Sequence, residues 1–288
     1  MTRIIQSLSE IATNYDVLFC DLWGCVHNGI RAYPSAVKAL QDFRQGGGRV
    51  CLMTNAPRPA GEVEKSFDRL GVPANAWDVL ATSGDAAQDA LFAGAVGRKV
   101  WHIGPAKDDG FFDVPARWAD APPIERVDFD EAEGIVCTGP FDEDTETPED
   151  YRIKLMLARE RGLKLLCANP DIVVDLGDRR IYCAGAIAEF YQELGGESLY
   201  FGKPHPPIYD LARRLLNLAD GARVLAIGDG IRTDIAGAVG EGIDSIFITG
   251  GLAAEELGDD VENPDPALLN DWLTVATLDP TFAMGRLR

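Results

Sequence analysis

Short apolar runs alternate along this chain with longer segments in which apolar residues return every three or four positions. The runs predict strands at 17–20, 50–53, 79–82, 99–103, 134–138, 163–168, 198–201 and 223–227. The helical spacings predict a helix opened by Pro34, with Val37, Leu40 and Phe43 on one face, and others leading toward Leu70 and over 86–92, 148–161, 208–218 and 235–239. Gly46, Gly47 and Gly48 stop the first helix. They do not form a phosphate loop, because a strand rather than a helix follows. Strand and helix in alternation imply a mostly parallel sheet with crossover helices.

At 288 residues the chain has room for about two domains. A new α/β unit begins near residue 83, and the acidic, turn-rich stretches 108–123 and 141–150 lie within it. We expect residues 83–186 to form a domain inserted into a core made of 1–82 and 187–288.

Composition narrows the setting. The hydrophobic fraction of 46% and charged fraction of 25% are ordinary for a globular protein. A net charge of −19 argues against nucleic acid and anionic membrane surfaces as partners. No apolar run reaches the roughly 20 residues of a membrane helix, and the first sixteen residues lack a signal-peptide pattern. Cys20, Cys25, Cys51, Cys137, Cys167 and Cys183 are scattered without a CxxC pair, and four of them sit in strand-like runs. They read as small buried hydrophobes in a reducing compartment, so the cytoplasm is the expected location.

Polar residues gather where the apolar runs stop. Asp21 ends the first run, in YDVLFCDLWGCVHNG, and a carboxylate at a strand's C-terminal end lies where open α/β sheets place ligands. An Asp capping the following turn is the alternative. Thr54-Asn55 ends the second run before Pro57 and Pro59, where helix capping is the plainer role. Lys203, in Gly202-Lys203-Pro204, follows the run at 198–201. The strongest local signal is Gly228-Asp229-Gly230-Ile231-Arg232-Thr233-Asp234, with two carboxylates across a strand-to-helix turn and glycines that let backbone approach a ligand. Oxygen donors of this kind suit a hard cation such as Mg²⁺.

These four strand ends resemble, in order, the four motifs of the haloacid dehalogenase superfamily. TSGDAAQDAL, CANPDIVV and GKPHPPIYDLA resemble its NagD-like branch. The resemblance implies a Rossmann-like doubly wound parallel core with an inserted α/β cap. It implies a phosphatase of small phosphorylated metabolites, with Asp21 as the nucleophile that becomes an aspartyl-phosphate. Mg²⁺ is then held by Asp21, the backbone carbonyl of Trp23 and Asp229, supported by Asp234. Thr54, the backbone of Asn55 and Lys203 take the phosphoryl oxygens, supplying with the metal the positive charge that the net −19 withholds. Asn169 and Asp171, at the end of a cap strand, are the candidates for contact with the rest of a small phosphate ester. Pairing of such caps implies a homodimer.

One residue departs from the pattern. Phosphatases of the superfamily usually carry a second Asp two residues after the nucleophile, which protonates the leaving group and activates water; here that position is Trp23. Such catalysis is typically worth about 10²–10⁴-fold. His27 is the nearest group that could replace it. The rival reading is a phosphate- and metal-binding regulatory protein with little or no turnover.

Overall fold

The computed structural model describes residues 2–176 and 179–288. In chain order its main elements are β1 (Arg3–Ile4), β2 (Val17–Asp21), α1 (Pro34–Gln45), β3 (Arg49–Thr54), α2 (Ala60–Glu64), α3 (Phe67–Leu70), β4 (Val79–Thr82), α4 (Ser83–Phe92), β5 (Lys99–Ile103), β6 (Glu125–Arg126) and β7 (Gly134–Cys137). There follow α5 (Arg152–Glu160), β8 (Lys164–Cys167), β9 (Val173–Leu176), β10 (Arg179–Tyr182), α6 (Ala184–Glu193), β11 (Glu197–Tyr200), α7 (Pro206–Leu216), β12 (Val224–Gly228), α8 (Ala236–Glu241), β13 (Asp244–Ile248), α9 (Pro266–Ala276) and β14 (Phe282–Met284). The chain divides into two compact units, one of residues 1–54, 64–81 and 209–288, the other of 55–63 and 82–208.

The first unit is built on a seven-stranded sheet in the order β1-β14-β13-β12-β2-β3-β4. From β1 across to β3 each neighbouring pair runs parallel. β2 and β12 are buried along their whole length, which is why their sequences are continuous apolar runs rather than alternating ones. The chain winds outward from β2 through β3 to β4 on one side and from β12 through β13 to β14 on the other. The junction of β2 and β12 is therefore the topological switch point, where crossovers diverge and leave a crevice beyond the strand ends.

The second unit has its own five-stranded sheet, β11-β8-β7-β5-β6, again parallel. Ile135, Cys137, Leu165 and Cys167 pack on one face with Leu155 of α5 and Ile187 of α6. Val136 and Leu166 point to the other face and pack with Ala87 and Leu91 of α4. Both faces are covered, as a parallel sheet requires. β9 and β10 pair antiparallel as a separate two-stranded sheet.

Residues 187–208, which the sequence reading gives to the core, run in this second unit. The physical reason is β11: its backbone pairs with β8 from Glu197 opposite Lys164 to Tyr200 opposite Cys167, so the strand closes the inserted sheet. The helix expected across 148–161 starts with a 3-10 turn, Pro148–Tyr151, and the one expected toward Leu70 is broken into α2 and α3.

Candidate active site

In the first unit Asp21 is the last residue of β2 and lies opposite Met53, the residue before Thr54 in β3. On the other flank of β2, Cys20 pairs with Ile227, so Asp229 emerges just beyond the neighbouring strand end. Asp21, Thr54, Asp229 and Asp234 are all buried. Donor atoms of Asp21, Asp229 and Cys25 lie within 4.8 Å of one another, the only such grouping of three or more metal-ligating side chains among the described residues.

The backbone is shaped to hold Asp229. Gly24 adopts φ +83°, and a Cβ there would fall 2.1 Å from Asp229 Oδ2; one on Gly251 would fall 2.0 Å from the same oxygen. The amide of Leu252 donates to that oxygen at 3.0 Å. Asp234 sits in a π-helical turn, Ile231–Ile235, closed by Ile235 N–H to Gly230 O at 3.1 Å. Such turns recur at functional sites because they aim a side chain off the regular helical direction. The amide of Gly230 donates to Asp234 Oδ2 at 3.1 Å, so this carboxylate braces the turn that carries Asp229. Two buried carboxylates beside backbone too close for any side chain form a cradle of oxygen donors, which fits a divalent cation.

The loop after β2 is tied down. The amides of Val26 and His27 both donate to Leu22 O, and Gly24 N–H donates to His27 O. The indole of Trp23 meets the His27 ring edge-on at 5.6 Å, and a Cβ at Gly29 would strike it at 2.3 Å. His27 Nδ1 accepts the amide of Gly29 at 3.1 Å, and burial pushes the imidazole down to about 4. A neutral ring with one nitrogen engaged is a strut for this loop and a poor carrier of protons near neutral pH. Burial, then the carboxylates of Asp229 and Asp21, raise the Cys25 thiol well above its ordinary range.

In the second unit four of the expected residues form one hydrogen-bonded net. The main-chain N–H of Lys203 donates to Asn55 Oδ1 at 2.8 Å, and Asn55 Nδ2 donates to Lys203 O at 3.1 Å and to Asp171 Oδ1 at 2.8 Å. Asn169 Oδ1 in turn accepts the amide of Asp171 at 3.0 Å. Asn55, Asn169 and Lys203 are buried. Gly202 is required here, since a Cβ would lie 2.5 Å from Asn55 Oδ1 and 2.6 Å from Ser83 Oγ.

Sequence reasoning missed two participants. Cys25 lies outside the strand-like runs and carried no site signal of its own, and one of the two carboxylates it meets, Asp229, comes from the far end of the chain. Gly251, in Gly250-Gly251, lies beyond the elements assigned from the pattern, although a glycine pair just after an apolar run was a usable signal.

The first unit is an open α/β sheet with buried carboxylates gathered at its switch point. Residues 18–113 match the model of haloacid dehalogenase-like hydrolases, and residues 200–274 match a HAD-hydrolase-like model. A crystal structure of a haloacid dehalogenase-like hydrolase from Brucella suis is 39% identical, covers 99% of this chain and 100% of its own, and superposes with a TM-score of 0.84. The chain belongs to the haloacid dehalogenase-like family of hydrolases. It is also 27% identical over 249 residues to the D-glycerol 3-phosphate phosphatase of Mycobacterium tuberculosis, across 85% of this chain and 66% of that protein, so it spans just under two thirds of that relative's length. A crystal structure of glycerol phosphate phosphatase from the same organism, in complex with calcium, is 25% identical, with 84% of this chain and 68% of that one covered and a TM-score of 0.63.

Proposed function

We propose that the protein is a Mg²⁺-dependent phosphatase of small phosphorylated metabolites, acting through an aspartyl-phosphate on Asp21. The observation that carries this reading is the approach of the Asp21 and Asp229 carboxylates at the switch point of the sheet, beside backbone that leaves room only for glycine. Asp21 attacks phosphorus and the ester oxygen departs; water then releases the phosphate from the carboxylate. Asp21, the main-chain carbonyl of Trp23 and Asp229 hold the cation, with Asp234 bracing the turn. A bound Mg²⁺ supplies charge that offsets repulsion between the carboxylate nucleophile and the phosphate. Thr54, the backbone of Asn55 and Lys203 take phosphoryl oxygens, as the family resemblance implies. The relatives that act on glycerol phosphate support a small polyol phosphate as substrate. We assign the second unit, which holds the expected cap residues 83–186, to a substrate-covering cap carrying Asn169 and Asp171, and propose a cap-paired homodimer. A cytoplasmic setting is in keeping with the six free cysteines.

One observation favours a second reading, a phosphate- and metal-binding regulator. Trp23 stands where a proton-transferring carboxylate belongs, and His27 is neutral. Intact-mass analysis after brief incubation with Mg²⁺ and acetyl phosphate, with phosphate release from a panel of metabolite phosphates, separates the two. Steady release that vanishes in Asp21→Asn supports the phosphatase. A lasting adduct on Asp21 without release favours the regulator, and neither adduct nor release defeats the phosphoryl-transfer reading for those substrates.

A further inference from the structure

The cation cradle differs from an all-oxygen site in one atom. Cys25 is 1% exposed, and its Sγ lies within 4.8 Å of a carboxylate oxygen of both Asp21 and Asp229. Its position is fixed from both sides in sequence: Gly24 is pressed against Asp229, and the amide of Val26 is tied to Leu22 O at 2.8 Å. The thiol is therefore held beside the carboxylates by the same turn that shapes the cradle.

We infer that Cys25 makes this centre a site for a thiophilic divalent cation of the zinc class, bound by Cys25 Sγ together with the carboxylates of Asp21 and Asp229. The inference rests on the cation site of the reading above, not on turnover. Carboxylate and carbonyl oxygens suit Mg²⁺, whereas adding a thiolate turns the preference toward Zn²⁺ and Cd²⁺. Bonds of about 2.0–2.3 Å to zinc set its ligand atoms roughly 3.5 Å apart. Donors no more than 4.8 Å apart need to approach by at most about 1.3 Å to reach that separation. On binding, the Sγ–H bond breaks, its proton leaves to buffer, and sulfur and the two carboxylates each donate a lone pair; no electron is transferred. Zn²⁺ held this way competes with Mg²⁺ for Asp21 and Asp229, so it acts as an inhibitory occupant.

Cd²⁺ titrated into the metal-free protein tests this through the ultraviolet thiolate-to-cadmium charge-transfer band, which oxygen ligands do not produce. The wild type is expected to develop the band with saturation near one equivalent. Cys25→Ser should lose it and bind Cd²⁺ at least about tenfold more weakly, with Mg²⁺ affinity changed by less than about threefold. The other cysteines are buried and give the same background in both proteins. Should Cys25→Ser not fold, Asp229→Asn keeps the thiol and is expected to weaken the band's apparent affinity at least about tenfold. Cadmium NMR of the wild type also distinguishes sulfur from oxygen ligation directly. A band undiminished in Cys25→Ser, or Cd²⁺ bound without a band or not bound at all, overturns the inference. Mg²⁺ binding and phosphate release, measured on the same wild-type preparation, show separately whether the phosphatase reading stands.

Discussion

The carboxamide of Asn55 grips the main chain of Lys203 from both sides, accepting its N–H at 2.8 Å and donating to its C=O at 3.1 Å. With both residues buried, this pair does for a loop what a β-ladder does for a strand. Asn55→Ala removes both bonds and strands the Lys203 amide. At about 1 kcal/mol per net bond and more for an orphaned donor, the loss of stability is expected to be about 2–3 kcal/mol. Denaturant unfolding checks it, and a change below about 0.5 kcal/mol would show that the clamp is unimportant.

Gly24→Ala is expected to destroy the cation cradle. The positive φ alone costs about 1–2 kcal/mol in an alanine, and the new Cβ would meet Asp229 Oδ2 at 2.1 Å. Gly47 provides the control, with φ +94° and nothing within 4 Å of its Cβ position. Calorimetric titration with Mg²⁺ should show at least about tenfold weaker binding for Gly24→Ala and unchanged binding for Gly47→Ala, although both lose stability.

Trp23→Asp should restore the missing proton-transfer group. General acid–base catalysis is typically worth about 10²–10⁴-fold, and part of this will be lost because the indole no longer packs against His27 and Gly29. Phosphate release is therefore expected to rise about tenfold or more. An unchanged or lower rate in a folded variant would show that proton transfer does not limit the wild type.

His102 gives a pH dependence with a definite sign. Burial lowers it to about 4; it shares a hydrogen bond of 3.0 Å with Thr138 Oγ1 and meets Phe112 edge-on. Between about 6.5 and about 4 the unfolded chain binds a proton that the folded His102 refuses, so its contribution is complete above about 6.5 and is lost as pH falls through that window. His27 acts in the same direction. Asp108, raised to about 6 by burial, opposes them, because its folded form holds a proton that the unfolded chain has released. Burial also lowers His205, so three histidines against Asp108 leave stability falling on acidification from about 6 to about 4. His102→Gln should flatten unfolding free energy against pH by about 1.4 kcal/mol per unit at most. An unaltered slope would refute the buried neutral histidine.

The strand ends that carry chemistry were legible because parallel strands buried on both faces leave unbroken apolar runs, and Asp21, Thr54 and Asp229 stand where those runs stop. Other elements left weaker traces. β1 and β14 are too short to show a period, and α6, AGAIAEFYQE, is buried around most of its surface and loses the helical alternation. β11 read correctly as a strand, yet nothing local says which sheet it joins. That choice is made by β8, more than thirty residues earlier. The same limit hid Cys25, whose meeting with Asp229 is a property of the folded sheet alone.

The strand order of the first unit also sets a timetable. β2 leaves the ribosome early, but the neighbour on its Asp21–Asp229 flank, β12, is made only after the whole second unit. Until then β3 covers one edge of β2 and the other stays open, an invitation to wrong pairing. The second unit, with a two-faced core of its own, can complete its sheet during that interval. Translation thus lengthens the period in which the nascent first unit depends on protection, and the last central strand to arrive both seals its sheet and delivers the second carboxylate.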